Sequence, residues 1–211
     1  MTDIHVALQI GILIFSVIIH EISHGLMARV WGDRTAEYEG RLTLNPLKHI
    51  DPFGSVFLPL LLYLSKAGFM IGWAKPVAYN PYNLRNPKVA EPLIALAGPL
   101  SNLVVALFFG ILIRIIFSLD VTMTTQLVTL ISVFGFVVLI NTVLAVFNLL
   151  PIPPLDGSKI LLPFLPYGRQ MAYSAFGQRY GILLVLAVLF FAPQLVSSIV
   201  YLFFSLITGI R

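Results

Sequence analysis

Long apolar runs separated by short polar stretches organise this chain. Ile4 to Ala28 is apolar except near its C-terminal end, and Val6 to Ile19 carries no charge. About 20 apolar residues cross a bilayer as a helix, so residues 4–28 read as a span. Leu93 to Leu119 and Gln126 to Leu150 are two more. Gly181 to Ile210 carries no charge but contains Pro193, and reads as one kinked helix or a helical hairpin. Phe53 to Trp73 is apolar but interrupted by Gly54, Pro59, Lys66, Gly68 and Gly72, which fits a re-entrant or interfacial segment as well as a poor span. Between Arg34 and Asn45 the pattern changes to polar–apolar alternation around Gly40, the period of a short β-hairpin. Ala74–Pro92 and Pro151–Arg179 read as loops. The expected fold is therefore an all-α polytopic membrane protein: a bundle of about four to six transmembrane helices with a short strand region. Residues 1–211 form one integral-membrane domain, with no stretch left for a PDZ-sized or CBS-sized module.

Composition strengthens this reading. Of 211 residues, 58% are hydrophobic and only 10% charged, which excludes an ordinary soluble domain and a disordered chain. The net charge of +4 comes from 13 scattered Lys and Arg with no dense basic run, so nucleic acid is not an expected partner. No basic n-region or cleavage site marks a signal peptide at the N-terminus. There is no cysteine, so a metal site has to use His, Asp, Glu or backbone oxygen.

One such site stands out. His20-Glu21-Ile22-Ser23-His24 is an HExxH motif inside the first span. Positions i and i+4 share a helix face, so both imidazoles can bind one zinc with Glu21 beside the open position. Ionisable groups in a bilayer cost about 2.5–3.5 kcal/mol each on insertion scales, and such clusters mark function. Catalytic zinc takes three protein ligands and a water. The third-ligand candidate is Asp156, in Asn148-Leu149-Leu150-Pro151-Ile152-Pro153-Pro154-Leu155-Asp156-Gly157, where prolines end the helix and Gly157 permits a turn. His49 and Asp51 are rivals.

These residues resemble the site-2 protease family of intramembrane zinc metalloproteases, peptidase family M50. The resemblance rests on HEISH, on AGPLSN at Ala97–Asn102, on NLLPIPPLDG at Asn148–Gly157, and on their order. GRLTLNPLKHIDPFG and GWAKPVAYNPYNLRNP are similar to a small subgroup without PDZ or CBS domains, and the likeness runs over roughly residues 15–165. It implies that His20, His24 and Asp156 bind one zinc per chain and that Glu21 is the general base. It also implies membrane-anchored protein substrates, such as anti-sigma or pro-sigma factors. For the charge that develops on the scissile carbonyl, Asn148 is the first candidate donor and Asn102 the second. An exposed strand edge at Glu37–Asn45 or Lys75–Asn80 is a candidate for holding an unwound substrate. The competing reading is a non-proteolytic zinc protein of the membrane: a transporter, sensor or pseudoprotease.

Topology offers a check. His20 lies about 24 Å along a helix that starts at Ile4, near its C-terminal end. Asp156 follows the C-terminal end of the 126–150 span. A shared zinc needs both helices to end on one side, which requires that Phe53–Trp73 not cross the membrane. Nearly all the Lys and Arg then fall on that side, leaving Arg114 and Arg211 elsewhere, as the positive-inside rule expects. The expectation is a multi-pass protein of the cell membrane with its site toward the cytoplasm.

Overall fold

The computed structural model describes residues 6–57, 61, 64, 65, 74–119 and 122–210. Helix α1 spans Val6–Val30. Its end is fixed by Gly32, whose φ of 109° lets the chain turn back so that Asp33 N donates to Ala28 O at 3.0 Å. A short helix α2, Thr35–Tyr38, follows. Helices α3 (Pro87–Ser118) and α4 (Thr125–Asn148) are the other long bundle members. The LPIPPL loop leads into a short α5, Asp156–Leu161, and then come α6 (Tyr167–Phe191) and α7 (Pro193–Thr208). Four helices, Val6–Val30, Pro87–Ser118, Thr125–Asn148 and Gly168–Phe191, are long and apolar enough to cross a membrane.

The expected hairpin at Arg34–Asn45 is not there, and the described residues contain no strand. Local capping outweighs the alternating pattern. The Asp33 carboxylate accepts from the Thr35 amide at 3.3 Å and hydroxyl at 2.6 Å. Gly40, at φ 64°, then closes the turn, with Arg41 N donating to Ala36 O at 2.9 Å. Those contacts favour one helical turn over an extended pair.

The expected loop at 151–179 is shorter than its polarity implied, because α6 begins at Tyr167. Gln170, Arg169, Gln178 and Arg179 lower the hydropathy of this stretch without opposing helix formation. The break expected at Pro193 is present: α6 and α7 are separate helices divided at Ala192. α7 packs on α3 and α4 and makes little contact with α6.

α1 and α3 run antiparallel in steps of four. Ala28 shares a cluster with Ala90 and Ile94, His24 meets Ile94, His20 meets Gly98, and Ser16 meets Asn102. Small residues at Ala28, Ala90 and Gly98 allow this close approach. α4 returns along α3, so the C-terminal ends of α1 and α4 lie together at one end of the bundle. A belt of turns and extended chain covers that end. It is pinned by Asp33, fully buried, which also accepts from Asn80 N at 2.9 Å and Asn83 Nδ2 at 2.8 Å. Burial opposes the charge on Asp33, but the bonds from Thr35, Asn83 and Asn80 outweigh it and hold its carboxyl below the usual range. His49 O accepts from Lys75 N at 2.8 Å, so residues 50–74 leave and return at one place. Of the segment 53–73, only 53–57, 61, 64 and 65 are among the described residues.

Candidate metal centre

The motif on α1 meets the loop after α4 across α3. His20 Nε2 lies 3.1 Å, and His24 Nε2 3.3 Å, from Asp156 Oδ2. The two rings stand edge to face, with centroids 4.6 Å apart. Among the described residues, His20, His24 and Asp156 are the only group of three or more His, Asp or Glu placed to share an ion, with ligand atoms within 4.8 Å of one another. Asp156 reaches this point because it opens α5, and because Gly157 packs against the Leu149 carbonyl where a Cβ would collide. Burial works against its charge, but the two imidazoles overcome that and hold its carboxyl well below the ordinary range.

The outer nitrogens of both rings are committed. His20 Nδ1 is 2.6 Å from Asn102 Oδ1, and His24 Nδ1 is 2.6 Å from the Ile94 carbonyl. A carbonyl only accepts, so His24 carries a proton on Nδ1, and Nε2 is the atom left for the shared point. Gly98 completes the arrangement. A Cβ there would run into His24 Nε2 and lie 2.6 Å from His20 Nε2. Two imidazoles and a carboxylate, each ring held from behind, fit a zinc ion in ligand type and number.

Glu21 lies beside these three residues. Its Oε2 accepts from Val77 N at 2.8 Å, and among the described residues Oε1 has no partner. A cleft of about 620 Å³ opens here, lined by His20, Glu21, His24 and Asp156 together with the extended Ala74–Tyr79 stretch, Asn148, Lys159 and one face of α6. α6 approaches closely through Gly177 and Gly181. A Cβ at Gly177 would strike the Pro153 ring, and one at Gly181 would lie 2.5 Å from Pro153 O. Tyr173 donates to Pro151 O at 2.8 Å on the same side. At the rim, Lys159 Nζ sits 5.8 Å above the Tyr79 ring. Burial, then the charges of Glu91 and Asp156, push the Tyr79 phenol up to about 12.

The remaining candidates separate clearly. Asn148 lines the cleft and uses one Nδ2 hydrogen on Leu144 O at 2.9 Å. Asn102 does not face the cleft: it is 0% exposed and stands behind His20. His49 is buried in the belt with Nε2 on Thr43 O at 2.9 Å, and Asp51 Oδ1 accepts from Phe53 N and Gly54 N, so neither joins the cluster. Glu37–Asn45 leaves the helical turn at Tyr38 and goes on through a turn and bends, with no strand edge, whereas Lys75–Asn80 runs without helix, turn or bend and lines the cleft with Pro76, Val77 and Tyr79. The sequence alone does not point to the amide of Val77, the clearance at Gly98 or the buried partners of Asn102. A polar residue inside an apolar span was the available signal for the last of these.

Comparison with known proteins agrees with this geometry. The family model described as Peptidase family M50 matches residues 112–192, which include Asn148 and Asp156. The chain is 39% identical to "Putative zinc metalloprotease YwhC" of Bacillus subtilis over 86% of its own length and 78% of that protein's. It is 32% identical to "Putative zinc metalloprotease Rip2" of Mycolicibacterium smegmatis over 91% of this chain and 71% of that one. With "Putative zinc metalloprotease MJ0611" of Methanocaldococcus jannaschii the figure is 38%, over 68% and 63% of the two chains. No solved structure matches. A ligand set assembled from HEISH and LDG inside an apolar helical bundle, and relatives aligned over most of the chain, agree on one assignment: the chain belongs to peptidase family M50, the site-2 protease family of zinc metalloproteases.

Proposed function

We propose that this protein is an intramembrane zinc endopeptidase that hydrolyses peptide bonds in or near the transmembrane segments of membrane-anchored proteins. One observation carries the reading. His20, His24 and Asp156 converge with their supports already in place, and Glu21 borders the same cleft. His20, His24 and Asp156 would hold one zinc per chain. Bound there, zinc would supply a water acidified to a pKa of about 7 and a Lewis-acid contact for the scissile carbonyl.

The chain's own groups do the rest. Glu21 Oε1 takes the proton of the attacking water and returns it to the leaving amide nitrogen. Its Oε2 stays on Val77 N, which keeps the carboxylate from swinging away. Asn148 keeps a second Nδ2 hydrogen for the carbonyl oxygen as charge develops on it. Asn102 supports His20 rather than touching substrate. A helical substrate hides its peptide groups in its own hydrogen bonds and has to unwind. The extended Lys75–Asn80 stretch offers backbone to the unwound segment by strand addition.

The site faces the cytoplasm in this reading. Arg29, Arg34, Arg41, Lys48, Lys75, Arg85, Lys88 and Lys159 belong to the cleft end of the bundle, whereas Arg114 lies near the other end of α3. The re-entrant or interfacial reading of 53–73 lies mostly outside the described residues; its flanks meet where Lys75 N donates to His49 O.

Zinc per chain and cleavage of a membrane-anchored substrate test the proposal together. Wild type is expected to hold about one zinc, and Asp156→Ala to lose most of it. Glu21→Gln should keep the zinc and lose about 10²–10⁴-fold in hydrolysis. Full activity in Glu21→Gln would take the general-base role from Glu21, a zinc-loaded wild type that cleaves nothing would be a zinc-binding protein of another kind, and a zinc-free wild type would end the metalloprotease reading.

A further inference from the structure

Behind His20 lies a chain of polar groups that joins three helices and never reaches the cleft. Asn102 donates from Nδ2 to Ser16 O at 3.2 Å and to Asn141 Oδ1 at 2.8 Å. Asn141 donates from Nδ2 to Val137 O and to Ser16 Oγ, both at 2.9 Å. Asn102 and Asn141 are 0% exposed and Ser16 is 4% exposed, so no solvent competes for these bonds. An amide looks alike in either orientation, and only its partners decide which end is oxygen.

Here the partners leave no choice. Val137 O is a backbone carbonyl, which can only accept, so the NH₂ of Asn141 must face it. Asn141 Oδ1 must then face Asn102, and it too can only accept. The NH₂ of Asn102 therefore points at Asn141 and at the Ser16 carbonyl, and its Oδ1 points at His20. An acceptor at 2.6 Å requires the proton of His20 to sit on Nδ1. Nε2 is left as the atom that faces His24 and Asp156, open to an ion once it gives up any proton shared with the Asp156 carboxylate. Direction thus passes from a carbonyl on α4, through two amides, to the nitrogen that meets the metal. Reversal of either amide would place two donors, or two acceptors, against each other in an apolar interior, which is costly.

We propose that Asn141, acting through Asn102 and braced by Ser16, is a positioning residue that sets which nitrogen of His20 is offered to the zinc. This rests on the zinc reading above. It assigns a task to a residue that neither touches a ligand nor lines the cleft, and it makes α4 part of the metal site at a point well before Asn148.

The test is a double-mutant cycle on zinc affinity, read by competition with a chelator in detergent, with Asn141→Leu placed in wild type and in His20→Ala. Asn141→Leu is expected to weaken zinc about tenfold or more where His20 is present. It should change nothing further where His20 is already gone, since its effect passes through that ring alone. Equal weakening in both backgrounds would mean general loosening of the bundle, and no weakening in wild type would mean no influence; either result overturns the proposal. Ser16→Ala removes one acceptor only and should shift zinc affinity in the same direction by less, which keeps the test open if Asn141→Leu folds poorly. The ring ¹⁵N signals of His20 give a second readout that needs no metal. Nδ1 should carry a proton in wild type, whatever Nε2 shares with the Asp156 carboxylate, and should lose part of it in the variant; an unchanged Nδ1 would overturn the proposal. If wild type bound no zinc, the metal reading would fall on that ground while the ring signals still tested the amide relay.

Discussion

The two ends of α3 solve the same packing problem with opposite chemistry. At the site end, Gly98 and Asn102 face α1 and meet histidines, an asparagine and a serine, with the buried ring and amide nitrogens of His20, His24 and Asn102 satisfied. At the far end, Ala106 and Ile113 share an apolar cluster with Val138 of α4 and Ile207 of α7, while Gly110 lies under Ile207. One polar group marks that end: Arg114 donates to Ile207 O at 2.8 Å and to Leu206 O at 2.5 Å, closing the last turn of α7. In lipid, burying an apolar side chain brings no gain from leaving water, so the far end is held by close packing. The site end is held by hydrogen bonds that hydrocarbon cannot replace. The twelve residues that separate Gly98 from Gly110 correspond to about 18 Å of helix. One glycine keeps room beside the Nε2 atoms of His20 and His24; the other lets a neighbouring helix come close. Substituting alanine at each position turns that contrast into a measurement.

Gly98→Ala carries the largest expected effect. Its Cβ would lie 2.6 Å from His20 Nε2 and nearer still to His24 Nε2, in the space that an ion would share. Zinc affinity is expected to fall beyond the roughly 10–100-fold cost of losing a group that merely supports a ligand. The melting temperature of the metal-free protein should move far less than the affinity. Retained zinc would mean that α3 can draw back from α1 without disturbing the rings, and that the clearance at Gly98 has no part in metal binding.

Gly110→Ala ranks second and should reverse the pattern. The added methyl meets the Ile207 side chain, with Ile207 O only 3.1 Å away, so α7 has to shift as a body. Overpacking of this kind costs about 1–3 kcal/mol. The melting temperature should drop by several degrees while zinc per chain stays at the wild-type value. Loss of zinc in Gly110→Ala would show that the two ends are mechanically coupled and would dissolve the contrast.

The two ends also differ in how openly they declared themselves in the chain. HEISH was legible because its meaning is local: a spacing of four on a helix needs no knowledge of the rest of the fold. Asp156 was legible because prolines and Gly157 mark a turn wherever they occur. The antiparallel meeting of α1 with α3, and the return of α4, followed from span order and the distribution of Lys and Arg. Other features depended on distant partners. Asn102 in an apolar span reads equally as a donor for substrate or as an interhelical hydrogen bond, and sequence does not name its partners: Ser16 and Asn141, 86 and 39 residues away. Arg34–Asn45 alternated like a hairpin, but Asp33 and Gly40 bracket one helical turn, and capping at both ends outweighs a short periodic pattern. Tyr167–Arg179 read as loop because hydropathy registers polarity rather than backbone preference. At the far end, nothing in Gly110 or Ile207 announced their contact; apolar residues in an apolar span look alike until a structure pairs them.

Gly135→Ala is the smallest effect and the control for both others. Gly135 sits in the middle of α4, and a Cβ there meets nothing within 4 Å. Such a glycine keeps no room for a ligand and admits no neighbour. What remains is the conformational freedom glycine loses on entering a helix, about 0.5–1 kcal/mol relative to alanine. Alanine should therefore stabilise the protein, raising the melting temperature by roughly 1–4 °C for a chain of this size, with zinc affinity and cleavage rate at wild-type values. The sign matters more than the size. If the same substitution abolishes zinc at 98, destabilises at 110 and stabilises at 135, helix propensity is common to all three and the differences belong to what each glycine faces. Destabilisation at 135 would point to a surface on this face of α4 that packs against another protein or a second copy in the membrane. The losses at 98 and 110 would then need correction for what any added methyl costs these helices before they could be credited to the metal site and to α7.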